Sequence, residues 1–498
     1  MGARSRLAEL LSKAPAEAQA VEFEDAWWTW GALASLARRL DRQLDGAAMG
    51  EGSRVGLVLE NRPEHVGALI AILATGRCVV TLSPLQPPER LAADIARSGA
   101  PVVIGSPDVL NRPGVLDAVT GAGLALRLGP DGTVEEAGGT APRGSGQAPG
   151  VTIEMLTSGT TGPPKRVRLN DTQFDAAIHS SGQVPKEGVL LRRGLSVVST
   201  PLVHIGGLWG AVSALHAGRR IALLPRFTLD PWVRVIERHR PPAAGLVPAA
   251  LRTVLDAGVE PEKLSSLRVI TCGTAFCPPE LAERFHRTYG ARVLMTYGAT
   301  EFAGAVATWT LPMHEKWWDS KAGSAGRTVP GVEMRAVDTD GIPLPDGQTG
   351  NLEVRTVQSS LGGDVWTRTS DLGHVDTDGF VWIEGRADDA IIRGGFKVQP
   401  DQVRKALERH PAVQEAAVAG LPDARLGHVP VAAVELRAGA RRPPTAELVA
   451  CCRESLTPYE VPVHIVIADE LPRTPSSKVS RVELLELVKE SIEAKELL

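Results

Sequence analysis

Short apolar runs alternating with helix-like stretches constrain this chain more than any other feature. Val55–Leu59 is an apolar strand candidate, Pro63–Gly76 a helix and Cys78–Leu82 a second strand, with a further helix-like stretch at Leu33–Leu44. Such alternation makes βαβ units around a mostly parallel sheet. It recurs at Ser196–Thr200, Arg220–Leu224, Gly245–Val247 and Val269–Cys272. The fold class is therefore α/β: a large N-terminal domain of doubly wound sheets.

From Gly326 to Ile383 the signals change to short strands joined by Asp340-Gly341, Asp346-Gly347 and Asp378-Gly379, a small β-rich section. Beyond it a small α+β C-terminal domain is expected, with a helix at Gln402–Arg409 and strands at Ala416–Gly420 and Val429–Leu436. The expected division is 1–384, a connection at 385–388, and 389–498. The stretch from Gly129 to Gly150 is rich in Gly, Ala and Pro without periodicity and reads as a loop.

Composition excludes several classes. A chain of 498 residues is too long for one small domain, and 58 acidic against 54 basic residues gives a net charge of −4. That leaves no basic excess for a phosphate backbone, so no nucleic-acid partner is expected. The five cysteines form no C-x-x-C pair, and the longest apolar run, 66–76, ends at Arg77. A cytoplasmic protein without a membrane span is expected; Gly2 is no myristoylation site, since Arg6 stands where Ser or Thr is needed.

The segment richest in chemistry is Thr157-Ser158-Gly159-Thr160-Thr161-Gly162-Pro163-Pro164-Lys165. Its glycines, hydroxyls and single lysine can offer backbone N–H groups, O–H donors and one cation to a polyphosphate. It cannot be laid onto a Walker A pattern. Further along stand Tyr297-Gly298-Ala299-Thr300-Glu301, Thr367-Arg368-Thr369-Ser370-Asp371, Gly385-Arg386-Ala387-Asp388-Asp389, Gly394-Gly395-Phe396-Lys397-Val398-Gln399-Pro400 and Pro472-Arg473-Thr474-Pro475-Ser476-Ser477-Lys478. Each alone would pass for a turn or a solvated face; in this order they do not.

The series resembles the signatures of the acyl-adenylate-forming superfamily: acyl- and aryl-CoA ligases, luciferases and the adenylation domains of peptide synthetases. It covers nearly the whole chain. The resemblance implies an enzyme that activates a carboxylic acid with ATP and Mg²⁺ as acyl-AMP and then transfers the acyl group to coenzyme A. It implies ATP contacts at Thr157–Gly162, Lys165, Gly273, Thr274, Ala275, Thr296, Tyr297, Gly298 and Thr300, with Tyr297 as a stacking ring for adenine. Glu301 is implied as the magnesium ligand, Asp371 with Arg386 as the ribose contacts and Lys478 as the catalytic lysine. Asp388 falls at the hinge of a mobile C-terminal domain, and Gly394 and Gly395 at the tunnel for the acceptor thiol. Lys397 stands near enough in sequence to meet a CoA phosphate.

An acyl pocket is expected around His204, Gly206, Leu208, Val247, Gly298, Phe302 and Ala303, with His204 gating rather than acting as a base. Its apolar character points to a hydrophobic aryl, cyclic or fatty acid. Trp309, Trp317 and Trp318 form either an aromatic wall, a core or an interface. An amine acceptor, a carrier protein loaded in trans, or a catalytically silent nucleotide sensor are the alternative readings, and a homodimer is left open.

Four positions depart from the family pattern. Arg166 replaces the glycine after the loop lysine, Ser370 the glycine before Asp371, and Ser477 the glycine before Lys478, each expected to add a side chain near phosphates. Thr296 stands where many relatives carry an amide.

Overall fold

A computed structural model describes residues 2–142, 146–156, 165–180, 182–386, 390–393, 396–423, 426–474 and 478–496. The described residues form two compact units: those within 1–158, 164–333 and 355–367, and those within 334–354 and 368–498.

The first unit holds three sheets. The largest runs Val134–Gly139, Leu124–Leu128, Val102–Gly105, Arg54–Val58, Cys78–Leu82, Val151–Leu156, Arg166–Asn170; its five inner strands are parallel and each edge strand is antiparallel to its neighbour. Every residue of Cys78–Leu82 is buried, as a parallel strand covered on both faces should be. The helix Pro63–Ala74 starts with proline at its first position and Glu64 in its first turn, both suited to a helix N-terminus. It carries Val66, Leu69, Ile70 and Ile72 into the core that also buries Leu33, Leu36 and Leu40 of the helix Trp30–Gly46.

The second sheet orders Leu195–Val198, Arg220–Leu223, Gln19–Phe23 and Ala26–Thr29. The last two strands join through Glu24 and Asp25, both at positive φ (48° and 66°), the conformation a two-residue hairpin demands. The third sheet orders Ala243–Leu246, Val269–Cys272, Arg292–Ala299, Gly304–Thr308 and Arg327–Thr328; the first three are parallel. Trp309 and Trp318 are core residues with rings 5.3 Å apart, while half-buried Trp317 lies under Lys316 and Arg327, so the three do not form one wall.

A sheet whose residues fall mostly in the second unit orders Val332–Val337, Gly350–Thr356, Thr367–Val375 and Val381–Arg386. Another orders Phe396–Val398, Ile391–Arg393, Gly427–Leu436 and Val413–Asp423, with His464–Ala468 parallel to Gly427–Leu436. The helices Pro400–Glu408 and Thr445–Arg453 close its core through Val403, Leu407 and Leu448.

One expectation is corrected. The 129–150 stretch contains the strand Val134–Gly139, folded back on Leu124–Leu128. Gly138 and Gly139 take φ of 136° and 77°, so the glycines that argued for a loop are what let the strand end against Gly123. Among the described residues, no helix is long and apolar enough to cross a membrane.

Candidate functional site

In the first unit the expected site residues follow the carboxyl ends of strands, where open α/β sheets place their ligands. Gly273, Thr274 and Ala275 follow Val269–Cys272 in an exposed turn. Beside them, Thr296, Tyr297 and Gly298 end the neighbouring strand Arg292–Ala299, and an added Cβ on Gly273 would lie 3.1 Å from the Thr296 carbonyl. The two segments therefore touch through backbone. Thr274 sits at φ +70° and Ala303 at φ +54°, left-handed conformations that residues other than glycine seldom take and that gather at binding sites.

A bulge between Tyr297 and Gly298 re-aims the chain before the turn. A Cβ at Gly298 would fall 2.1 Å from the Gly304 carbonyl, so only glycine fits. Glu301 stands on the one-turn helix Thr300–Phe302, half-buried, its carbonyl accepting from Ser360 N at 2.8 Å. Phe302 is buried under it. The Gln358 amide, turned so that its nitrogen meets the carbonyls of Phe302 and Ala305 (3.2 Å each) and its oxygen meets Ser180 Oγ (2.7 Å), supports the turn from below. A single half-buried carboxylate suits Mg²⁺, which keeps several waters and takes one or two carboxylates beside substrate phosphates.

Thr296 does not offer a loose hydroxyl. Its Oγ1 lies 3.0 Å from Thr308 Oγ1, which also approaches the Met295 carbonyl at 3.2 Å.

His204 precedes the helix Ile205–His216, with Gly206 exposed and Leu208 buried. Gly207 lets the helix start close to the preceding turn, since a Cβ there would meet the Pro201 carbonyl at 2.2 Å. That turn is fixed by Asn61, a residue the sequence reading passed over. Its amide donates to the carbonyls of Thr200 (3.1 Å) and Leu224 (2.9 Å) and accepts from Leu202 N (2.7 Å). Val247 caps the helix Pro248–Asp256 at the end of Ala243–Leu246. Trp209 packs edge-on to Phe174 at 4.7 Å and against Gly304, linking the His204 helix to the strand after Glu301.

Lys165 is exposed at the start of Arg166–Asn170. Thr157, Ser158, Gly159, Thr160, Thr161 and Gly162 lie outside the described residues, as do Asp388, Gly394, Gly395, Ser477 and the Lys397 side chain. The Arg166 guanidinium turns into the sheet, to the Thr81 carbonyl (3.1 Å) and Asp94 Oδ1 (2.8 Å).

In the second unit Asp371 and Arg386 stand opposite each other on antiparallel strands. Asp371 N donates to Thr369 Oγ1 at 3.1 Å, and Thr369 Oγ1 donates to the Leu352 carbonyl at 3.0 Å. Lys478 is exposed, and its carbonyl accepts from Thr474 N at 2.7 Å and Thr474 Oγ1 at 3.1 Å. Arg473, at the base of that turn, pairs with Glu415 at 2.7 Å.

A family profile described as AMP-binding enzyme matches residues 8–362, and one described as the AMP-binding enzyme C-terminal domain matches 402–478. The chain belongs to the AMP-binding enzyme family. Among relatives of this family, it is 32% identical to a sulfoacetate–CoA ligase of Cupriavidus necator over 92% of both chains. It is 26% identical to the o-succinylbenzoate CoA synthetase of Bacillus subtilis, solved with its acyl-adenylate intermediate, covering 96% of this chain and 97% of that one at a TM-score of 0.78. An amide bond synthetase from Marinactinospora thermotolerans is 26% identical, covers 98% and 100%, and gives a TM-score of 0.82. The resemblance to acyl-adenylate-forming enzymes and the α/β class are thereby borne out.

Proposed function

We propose that this AMP-binding enzyme joins a hydrophobic aryl, cyclic or fatty carboxylic acid to coenzyme A through an acyl-adenylate. The observation that carries the reading is the backbone-built turn from Tyr297 to Glu301 beside Gly273–Ala275, in a chain with CoA-ligase relatives along its length. A flat ring, a side-chain-free floor and one carboxylate suit adenine and a metal-bound polyphosphate.

In the first half-reaction a carboxylate oxygen of the substrate attacks the α-phosphorus of ATP, the bond to the bridging oxygen breaks, and pyrophosphate leaves. Little covalent work falls to the protein, which positions groups and stabilises charge. Tyr297 stacks on adenine, Asp371 accepts from the ribose hydroxyls with Arg386 across the strand pair, and Lys165 meets the departing phosphates. Lys478 supplies positive charge at the α-phosphate. Glu301 would hold Mg²⁺, whose charge when bound offsets that of the phosphate oxygens. In the second half-reaction the CoA thiolate attacks the acyl carbon and AMP leaves with the bonding electron pair. His204 borders the acyl pocket and gates the thiol, Gly394 and Gly395 line its approach, and 385–388 serves as the pivot between the two half-reactions.

Amide formation is the second reading, favoured by the likeness to the amide bond synthetase. Incubation with MgATP and aryl or fatty acids, with CoA or an amine as acceptor, separates the two by mass spectrometry. Acyl-CoA as the turnover product supports the proposal; amide in its place overturns the acceptor.

A further inference from the structure

The segment 157–165 leaves the strand Val151–Leu156 and returns in Arg166–Asn170, with Leu156 and Arg166 as cross-strand partners. Beneath those strand ends lies a set of charged side chains, most of them buried, to which no role has been assigned above. Glu154, fully buried, accepts from Arg54 Nε (3.1 Å) and Nη2 (2.7 Å), and pairs with Arg168 Nε at 3.1 Å. Its backbone carbonyl accepts from Thr81 Oγ1 at 3.2 Å. Arg166 then joins the Thr81 carbonyl to Asp94, which is only 2% exposed on the helix Pro88–Ser98. Both strands that carry the segment are thus tied to Cys78–Leu82, one through Glu154 and one through Arg166.

We propose that Arg166 is a positioning residue for ATP: it fastens the returning strand so that Lys165, the residue before it, is held toward the outer phosphates. The proposal rests on the ATP-binding reading above. Lys165 is exposed and immediately precedes the strand, so anchoring Arg166 fixes the point of the backbone from which the Lys165 side chain leaves. The guanidinium spans two acceptors, the Thr81 carbonyl and Asp94 Oδ1, and a planar group held at two points is fixed in direction as well as distance. A glycine at this position would have no such hold.

The test measures binding of MgATP and of AMP by calorimetry, which needs no knowledge of the acid. Arg166→Gly strands the Asp94 charge and risks the fold, so the informative protein is Arg166→Gly/Asp94→Asn, with Arg166→Lys as the conservative variant. The double variant is expected to melt near the wild type, to bind MgATP on the order of tenfold more weakly, and to bind AMP unchanged, since AMP lacks the outer phosphates. Arg166→Lys should recover part of the loss. Equal weakening of ATP and AMP, or a wild-type Kd for MgATP in the folded double variant, would overturn the proposal. Wild-type MgATP binding without turnover of any acid would instead count against the ligase reading and leave this result intact.

Discussion

Asp371 and Arg386 face each other across two antiparallel strands, so a carboxylate residue and a guanidinium residue of consecutive strands occupy one rung of a ladder. A hydrogen bond to a charged group contributes about 1.5–3 kcal/mol. Asp371→Ala should therefore raise the KM for ATP by roughly ten- to a hundredfold with the acid's KM little changed. Steady-state kinetics with each substrate varied in turn check this; parallel rises in both KM values would argue against a ribose contact.

Glu301→Gln keeps the shape of the turn, whose carbonyl bond to Ser360 N is a backbone contact. It removes the charge that Mg²⁺ would meet. A fall in kcat of roughly a hundredfold is expected, the size seen when one stabilising group at a transition state is lost. A magnesium titration should shift to higher concentration in the variant, and an unshifted curve would place the metal elsewhere.

Gly298→Ala tests the backbone floor. The new methyl group would stand 2.1 Å from the Gly304 carbonyl, so the two strands must part. Overpacking of this kind costs about 1–3 kcal/mol, and a lowered Tm should accompany weaker ATP binding. Wild-type Tm and affinity together would contradict the packing described.

Much of the fold can be read from the sequence because its signals are local. Cys78–Leu82 and Val269–Cys272 are strands with the expected bounds, and the helix from Pro63 begins where proline and Glu64 announce it. The strand Val134–Gly139 escapes such a reading because glycine and alanine mask its alternation and only pairing with Leu124–Leu128 defines it. The partners of Arg166 lie 72 and 85 residues away, and those of Asn61 lie 139 to 163 away. No local pattern encodes such contacts. Motif order points to Glu301, Asp371 and Lys478, whereas the Gln358 and Ser360 contacts that support the Glu301 turn come from tertiary packing.

Acid should weaken the fold. Burial, aided by the neighbouring Arg62 charge, holds His65 down to about 3. Burial and Arg6 bring His216 to about 4, and burial and Arg292 bring His314 to about 4. These rings stay neutral in the folded chain but take up protons near pH 6.5 once unfolded. Their contribution is complete above pH 6.5 and is lost as pH falls toward 4, at about 1.4 kcal/mol per pH unit for His65. Tm measured from pH 7.5 to 4.5 should stay level and then fall below about 6.5; a flat profile would contradict the buried neutral histidines.

Adenylation of a carboxylic acid should release pyrophosphate from MgATP, and that release is the first quantity to measure. The assay runs a panel of aryl, cyclic and fatty acids with and without CoA, on the wild type and Lys478→Ala. Release should require one class of acid, turn over only with CoA, and be lost in the variant. Absence of release with every acid, or release untouched by loss of Lys478, would contradict the ligase reading.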